Sequence, residues 1–182
     1  MATRPVRLFG DPVLRQRAPE VVDFDRQLRR FVRDLDDTLY AERGAGLAAT
    51  QVGVLQRVFV WHTEGSEGHI VNPVLEFPDD DEQDGEEGCL SLPGLYFDTR
   101  RRRNVVARGA DMHGGPLQVV GSGFLARALQ HETDHLDGVL FIDRLETEAR
   151  KAAMKAIREA EWNGEAVPSV RLSPHAVRGT VS

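Results

Sequence analysis

The chain predicts a mixture of helices and short strands, compatible with an α+β fold, with one helix near the N-terminus, one in the second half and one near the C-terminus. Three observations lead there. Apolar residues recur at spacings of three and four within residues 24–42, 122–135 and 146–162, as one face of a helix requires. Between the first two of these segments the chain breaks into short runs bounded by Gly, Pro or Asp, a pattern of strands. Two of the runs face each other across a turn segment with no helix between them, so they pair antiparallel. With 182 residues and 41% hydrophobic content, one domain can bury its own core.

The first helix carries Phe24, Leu28, Phe31, Leu35 and Leu39 among charges, begins near Asp23 or Asp25, and ends at the glycines after Glu42. Residues 57–62 and 69–77 read as strands, and residues 89–92 as a further short one. The acidic stretch 79–87 lacks a full Ca²⁺-loop pattern and reads as a solvated loop. Arg100, Arg101, Arg102 and Arg103 alternate faces on a strand, which predicts a solvated edge rather than a phosphate or RNA site. Residues 104–110 and 117–120 flank Asp111-Met112-His113-Gly114-Gly115-Pro116 and predict a hairpin with a longer loop. The last helix is thinly apolar, with Ala149, Ala152, Ala153, Ala156, Ile157 and Ala160 among Arg150, Lys151, Lys155 and Arg158. Residues 1–164 form the single expected domain; residues 165–182 have no strong periodicity and read as a mobile extension.

Composition narrows the function. A net charge of −6 argues against a general nucleic-acid binder, and no specific DNA binding is expected. No run approaches the roughly 20 apolar residues of a membrane span, so no membrane partner is expected. Nothing near Met1 joins a basic region to an apolar signal core. The arginines at 4, 7, 15 and 17 are interrupted by Asp11-Pro12, against a transit peptide. The lone Cys89 cannot form an internal disulfide and fits a reducing compartment, so a cytoplasmic protein is expected.

The stretch His131-Glu132-Thr133-Asp134-His135 carries the chemistry. On a helix its two imidazoles, four residues apart, point toward one place where a metal ion can sit. The carboxylate beside the first can take a proton from water activated by that ion. Phe124, Arg127 and Ala128 lie on the same face as His131, a partly apolar wall suited to a substrate side chain. A third ligand is missing from the stretch. In the extended pattern with a later histidine Gly138 matches, but Phe141 stands in the ligand position and cannot bind a metal. Glu159 or Glu161 would have to come from a surface helix. The upstream Cys89 thiolate is the better candidate.

Around Cys89 the chain reads Glu87-Gly88-Cys89-Leu90-Ser91, and upstream it reads Gly44-Ala45-Gly46-Leu47-Ala48-Ala49-Thr50-Gln51. With residues 130–138, these segments resemble the three motifs of bacterial, metal-dependent peptide deformylases, in the same order, within a similarity that spans about residues 7–145. The resemblance implies short antiparallel sheets surrounding a metal-binding helix. It implies hydrolysis of the N-formyl group from the formylmethionine of new polypeptides, with release of formate. Cys89, His131 and His135 would bind one divalent ion: Fe²⁺ in the cell, with Zn²⁺, Ni²⁺ or Co²⁺ possible in a purified sample. Glu132 would carry the proton, and the Gln51 amide and the Leu90 backbone N–H would stabilise the formyl oxygen. Ala45, Gly46 and Gly88 would offer backbone bonds to an N-formylmethionyl peptide. Transient ribosome docking is a further expectation from the family, through the basic positions of the last helix.

Overall fold

The computed structural model describes residues 3–63 and 65–163. Their order is α1 (Arg26–Glu42), β1 (Gly46–Ala48), β2 (Val58–Thr63), β3 (Ser66–Glu76), β4 (Glu82–Gln83), β5 (Glu86–Cys89), β6 (Leu92–Asp98), β7 (Arg101–Arg102), β8 (Asn104–Ala110), β9 (Pro116–Ser122), α2 (Gly123–Leu136) and α3 (Thr147–Glu159). Single 3₁₀ turns occur at Pro12–Arg15, Ala49–Val52 and Phe141–Asp143. The proposed extension, residues 165–182, lies outside the described residues.

One antiparallel sheet runs β1-β2-β3-β8-β9, and β4 with β7 and β5 with β6 make two small ribbons. The period-two alternation of β2 decides the layering. Val58 and Val60 face α1, packing with Leu28, Phe31, Leu35 and Leu39. Phe59 and Trp61 face the other way, against Ala126, Leu129 and Leu136 of α2. Both faces of β2 are therefore covered, which explains its unbroken apolar run. Each such buried aliphatic or aromatic side chain contributes about 1.5–3 kcal/mol, so the two helices are held at fixed heights on opposite sides of the sheet.

Local chemistry sets the ends. The Asp25 carboxylate caps α1 by accepting from the Gln27 and Leu28 N–H groups at 2.8 and 2.9 Å. Gly138 follows α2 with φ +74, and a Cβ there would lie 2.7 Å from the Arg15 carbonyl oxygen, so only glycine both adopts the left-handed turn and admits the neighbouring chain. In β3, Asn72 at φ 53 breaks the register, and its side chain bonds both N–H and C=O of Val21.

The architecture is α+β, as the sequence predicts. Three local expectations need correction. Residues 89–92 are not one strand: Cys89 ends β5, Leu92 begins β6, and the chain reverses between them with an irregular register. Four alternating residues satisfy a strand or a tight hairpin equally well. The acidic stretch 79–87 is not wholly a solvated loop, because Glu86–Cys89 is a strand and Glu87 is buried. The arginine block is not wholly a solvated edge either. Arg100 and Arg103 are exposed, but Arg101 is buried, because it meets two carboxylates inside the protein.

Candidate active site

Two elements bring three metal-binding atoms together. α2 carries His131 and His135 one turn apart, and β5 ends on Cys89. His135 Nε2 lies 3.1 Å from His131 Nε2 and 3.2 Å from Cys89 Sγ. Ion-to-nitrogen and ion-to-sulfur distances of about 2.0 and 2.3 Å at tetrahedral angles would separate such donors by about 3.3–3.6 Å. Two of the three separations are close to these values, and all three donor atoms lie within 4.8 Å of one another, so the group could hold a divalent ion. Cys89, His131 and His135 are also the one group of three or more metal-binding side chains with this convergence among the described residues.

The imidazoles are held from behind. His131 Nδ1 lies 2.7 Å from Glu87 Oε1. With the proton on Nδ1 the Nε2 lone pair faces the cluster, as metal binding requires. The Phe141 ring, in the position where an extended motif would carry histidine, stacks near His131 at 6.1 Å between centroids. Glu87 is held as a carboxylate, far below the usual range, because bonds from His131 and Arg101 overcome its burial. Burial and the positive charge of His131 push His135 toward its neutral form; in the metal-free protein His131 itself, despite its burial, is pushed up by Cys89 and Glu87.

Glu132 stands beside the first imidazole and is 3% exposed. Burial, reinforced by the charge of Glu87 and opposed by His131, pushes its carboxyl up to about 7. Its Oε2 has no hydrogen-bond partner in the structure. A carboxyl near neutrality with one oxygen free of hydrogen bonds can both accept and return a proton. Gly46 makes room for it: a Cβ there would come within 2.7 Å of Glu132 Cδ.

Gln51 is buried in the 3₁₀ turn after β1. Its Oε1 accepts from the Ala48 N–H at 2.8 Å, and its Nε2 donates to Ser91 Oγ at 3.2 Å. These two bonds orient the amide with its nitrogen toward the cluster, where it lies 3.6 Å from Cys89 Sγ. Leu90 occupies the turn next to Cys89 and lines the same cleft.

That cleft measures about 540 Å³ and contains the other residues singled out from the sequence. Ala45 and Gly46 form one wall at β1, the outermost strand of its sheet. Gly88 stands on the β5 side, with the Tyr96 ring packed against it. Phe124, Arg127 and Ala128 come from α2, Phe124 being 58% exposed at the mouth. The Arg127 head is committed elsewhere: Nη1 donates to Glu87 Oε2 at 2.9 Å and to the Thr99 carbonyl at 2.7 Å.

Sequence reasoning missed Glu87, Ser91 and Arg101. Glu87 had a usable signal, since residues two apart on a strand share a face and Cys89 was already a candidate ligand. Arg101 had none, because its partners lie 14 and 33 positions away.

Comparison with known proteins agrees with this geometry. The family described as polypeptide deformylase matches residues 3–151. A peptide deformylase of Parafrankia sp. (strain EAN1pec) is 57% identical over 180 residues, covering 98% of each chain. Peptide deformylase 1 of Corynebacterium glutamicum is 54% identical, covering 89% of this chain and 98% of its own. The crystal structure of peptide deformylase from Thermus thermophilus superposes with a TM-score of 0.81 at 40% identity, over 86% of this chain and 94% of that one.

Proposed function

Because this chain belongs to the polypeptide deformylase family, and so is a metal-dependent hydrolase that removes the N-formyl group from newly made polypeptides, we propose that Cys89, His131 and His135 hold its metal ion and that Glu132, Gln51 and Leu90 perform the hydrolysis around it. The observation that carries this reading is the convergence of Cys89 Sγ with two imidazole nitrogens beside a buried carboxylate whose Oε2 has no hydrogen-bond partner. When bound, the ion supplies positive charge that polarises the formyl carbonyl and acidifies water.

Glu132 accepts the proton that water gives up as its oxygen bonds to the formyl carbon. It then delivers that proton to the amide nitrogen as the C–N bond breaks, so formate and a free amine leave. Gln51 serves the formyl oxygen. One of its N–H groups donates to Ser91 Oγ; the other donates to Cys89 Sγ at 3.6 Å, a weak bond to sulfur that it exchanges for the formyl oxygen. With the Leu90 N–H it offers donors to the charge that builds in the transition state, and one such donor is typically worth about 10²–10³ in rate. The peptide backbone adds along β1 at Ala45 and Gly46 and reaches Gly88 on the opposite wall. The methionine side chain rests on Phe124, Ala128 and the stem of Arg127.

The resident ion is proposed to be Fe²⁺, since imidazole and thiolate donors suit it while also accepting Zn²⁺, Ni²⁺ or Co²⁺. Anaerobic purification should yield about one iron per chain together with formate release from a formyl-Met peptide, and air or peroxide should remove the activity. Zinc as the metal of the anaerobic, fully active protein would refute the iron assignment.

We assign the reaction to the cytoplasm on the strength of the lone thiol. Residues 1–164 serve as the catalytic domain, supported by the family match over residues 3–151. Docking at the ribosome is assigned to α3, where Lys151, Lys155 and Arg158 are exposed. Reversing all three charges should weaken co-sedimentation with ribosomes and leave deformylation of a short peptide intact. Undiminished co-sedimentation excludes this surface.

A further inference from the structure

Arg101 links the two halves of the metal cluster. Its Nε and Nη2 donate to the two oxygens of Glu87 at 3.0 and 2.6 Å, and its Nη1 donates to Asp134 Oδ2 at 2.7 Å. Glu87 is two residues before Cys89 on β5, while Asp134 lies on α2 between His131 and His135. One rigid guanidinium therefore spans the strand that carries the sulfur and the helix that carries the nitrogens. Glu87 closes the circuit through His131 Nδ1. Its Oε1 takes Arg101 and His131, and its Oε2 takes Arg101 and Arg127, so the carboxylate cannot rotate without losing bonds. Asp134 is fixed in turn by a paired contact from Arg144, at 2.6 and 3.1 Å.

We propose that Arg101 is a positioning residue that preassembles the Cys89–His131–His135 cluster, acting through Glu87 and Asp134. This rests on the ligand assignment made above. Stability alone does not account for the network. The Arg101 and Glu87 side chains are each 4% exposed, and well-packed apolar residues commonly replace a buried ion pair without loss of stability. What apolar residues cannot supply is direction. A planar fork holds a carboxylate in one plane, and that carboxylate sets the tautomer and tilt of a ligating imidazole. Lysine has the charge without the fork, so it separates the two contributions.

The test is the metal dissociation constant of Arg101→Lys, measured by competition between the protein and a chromogenic chelator for Co²⁺ or Zn²⁺. Folding is checked by circular dichroism. Loss of a partner behind a metal ligand commonly weakens binding by about 10–100-fold, and that loss is expected here. Activity at limiting metal should fall and should recover as metal is raised, with KM for the formyl peptide unchanged. Asp134→Asn removes the charge behind the guanidinium at nearly constant volume; it should weaken metal binding in the same direction and carries the test if the lysine variant does not fold. A folded variant that binds metal as tightly as the wild type overturns the proposal. Should the wild type itself bind no metal, the ligand assignment fails instead, so the two failures are distinguishable.

Discussion

Glu132→Gln is expected to lower kcat by about 10²–10⁴-fold, the usual contribution of a positioned general acid or base, while metal content stays at the wild-type level. The substitution keeps size and one acceptor oxygen, and removes the charge and the ability to carry the proton. The group that could hold the metal, Cys89, His131 and His135, does not include it. Rapid formate release by the metal-loaded glutamine variant would remove Glu132 from the mechanism. The same carboxyl sets two pH effects of opposite direction. It must be ionised to accept a proton, so kcat/KM should fall as the pH drops through its pKa. Without metal that lies at about 7, and a bound cation favours the anion, so the acid limb falls at or below this value. For metal-free stability the sign reverses. Folding raises this carboxyl from its ordinary 4.5, so its protonated form favours the fold, and stability is lost as the pH rises from the unfolded toward the folded value. Metal-free Glu132→Gln lacks that loss. Its thermal midpoint above pH 7 should exceed that of the metal-free wild type.

Cys89→Ala should sharply weaken metal retention and, with it, turnover while leaving the fold in place. Structural zinc sites derive about 10–16 kcal/mol from four ligands, or roughly 3 kcal/mol each, so losing the thiolate should weaken binding on the order of a hundredfold or more. Cys89 is half-buried at the end of a two-stranded ribbon and packs only at the margin of the third core cluster. Its removal should therefore cost far less stability than affinity. Retention of one tightly bound ion per chain by the alanine variant would mean that another residue supplies the third ligand.

The helices were legible because their signal is repetitive. The spacing of Phe31, Leu35 and Leu39, and the cap at Asp25, are local properties that the fold keeps. The candidate ligands were legible for a related reason. His131 and His135 share a helix face whatever the rest of the chain does, and Phe141 excluded the downstream histidine before any fold was known. The resemblance in three ordered motifs then joined Cys89 and Gln51 to them. The acidic and arginine-rich segments misled the same reading, since a charge has no periodicity that reveals whether water or an opposite charge solvates it. Composition favoured water for Glu87 and Arg101, and the fold paired them.

By itself, then, the sequence determined the helix that carries two imidazoles, the single thiol and the carboxylate beside them. Each follows from residue type and short-range spacing, while the α+β class came from the resemblance to a family with which the helix and strand readings agree. Only the tertiary structure decided that the Glu87–Arg101–Asp134 network holds strand and helix together behind the metal cluster, that Ser91 aims the Gln51 amide, and that Gly46 leaves room for Glu132. Those relations join positions brought together by packing α2 on the sheet. Their energies depend on distance and burial in space, neither of which is written in the order of the chain.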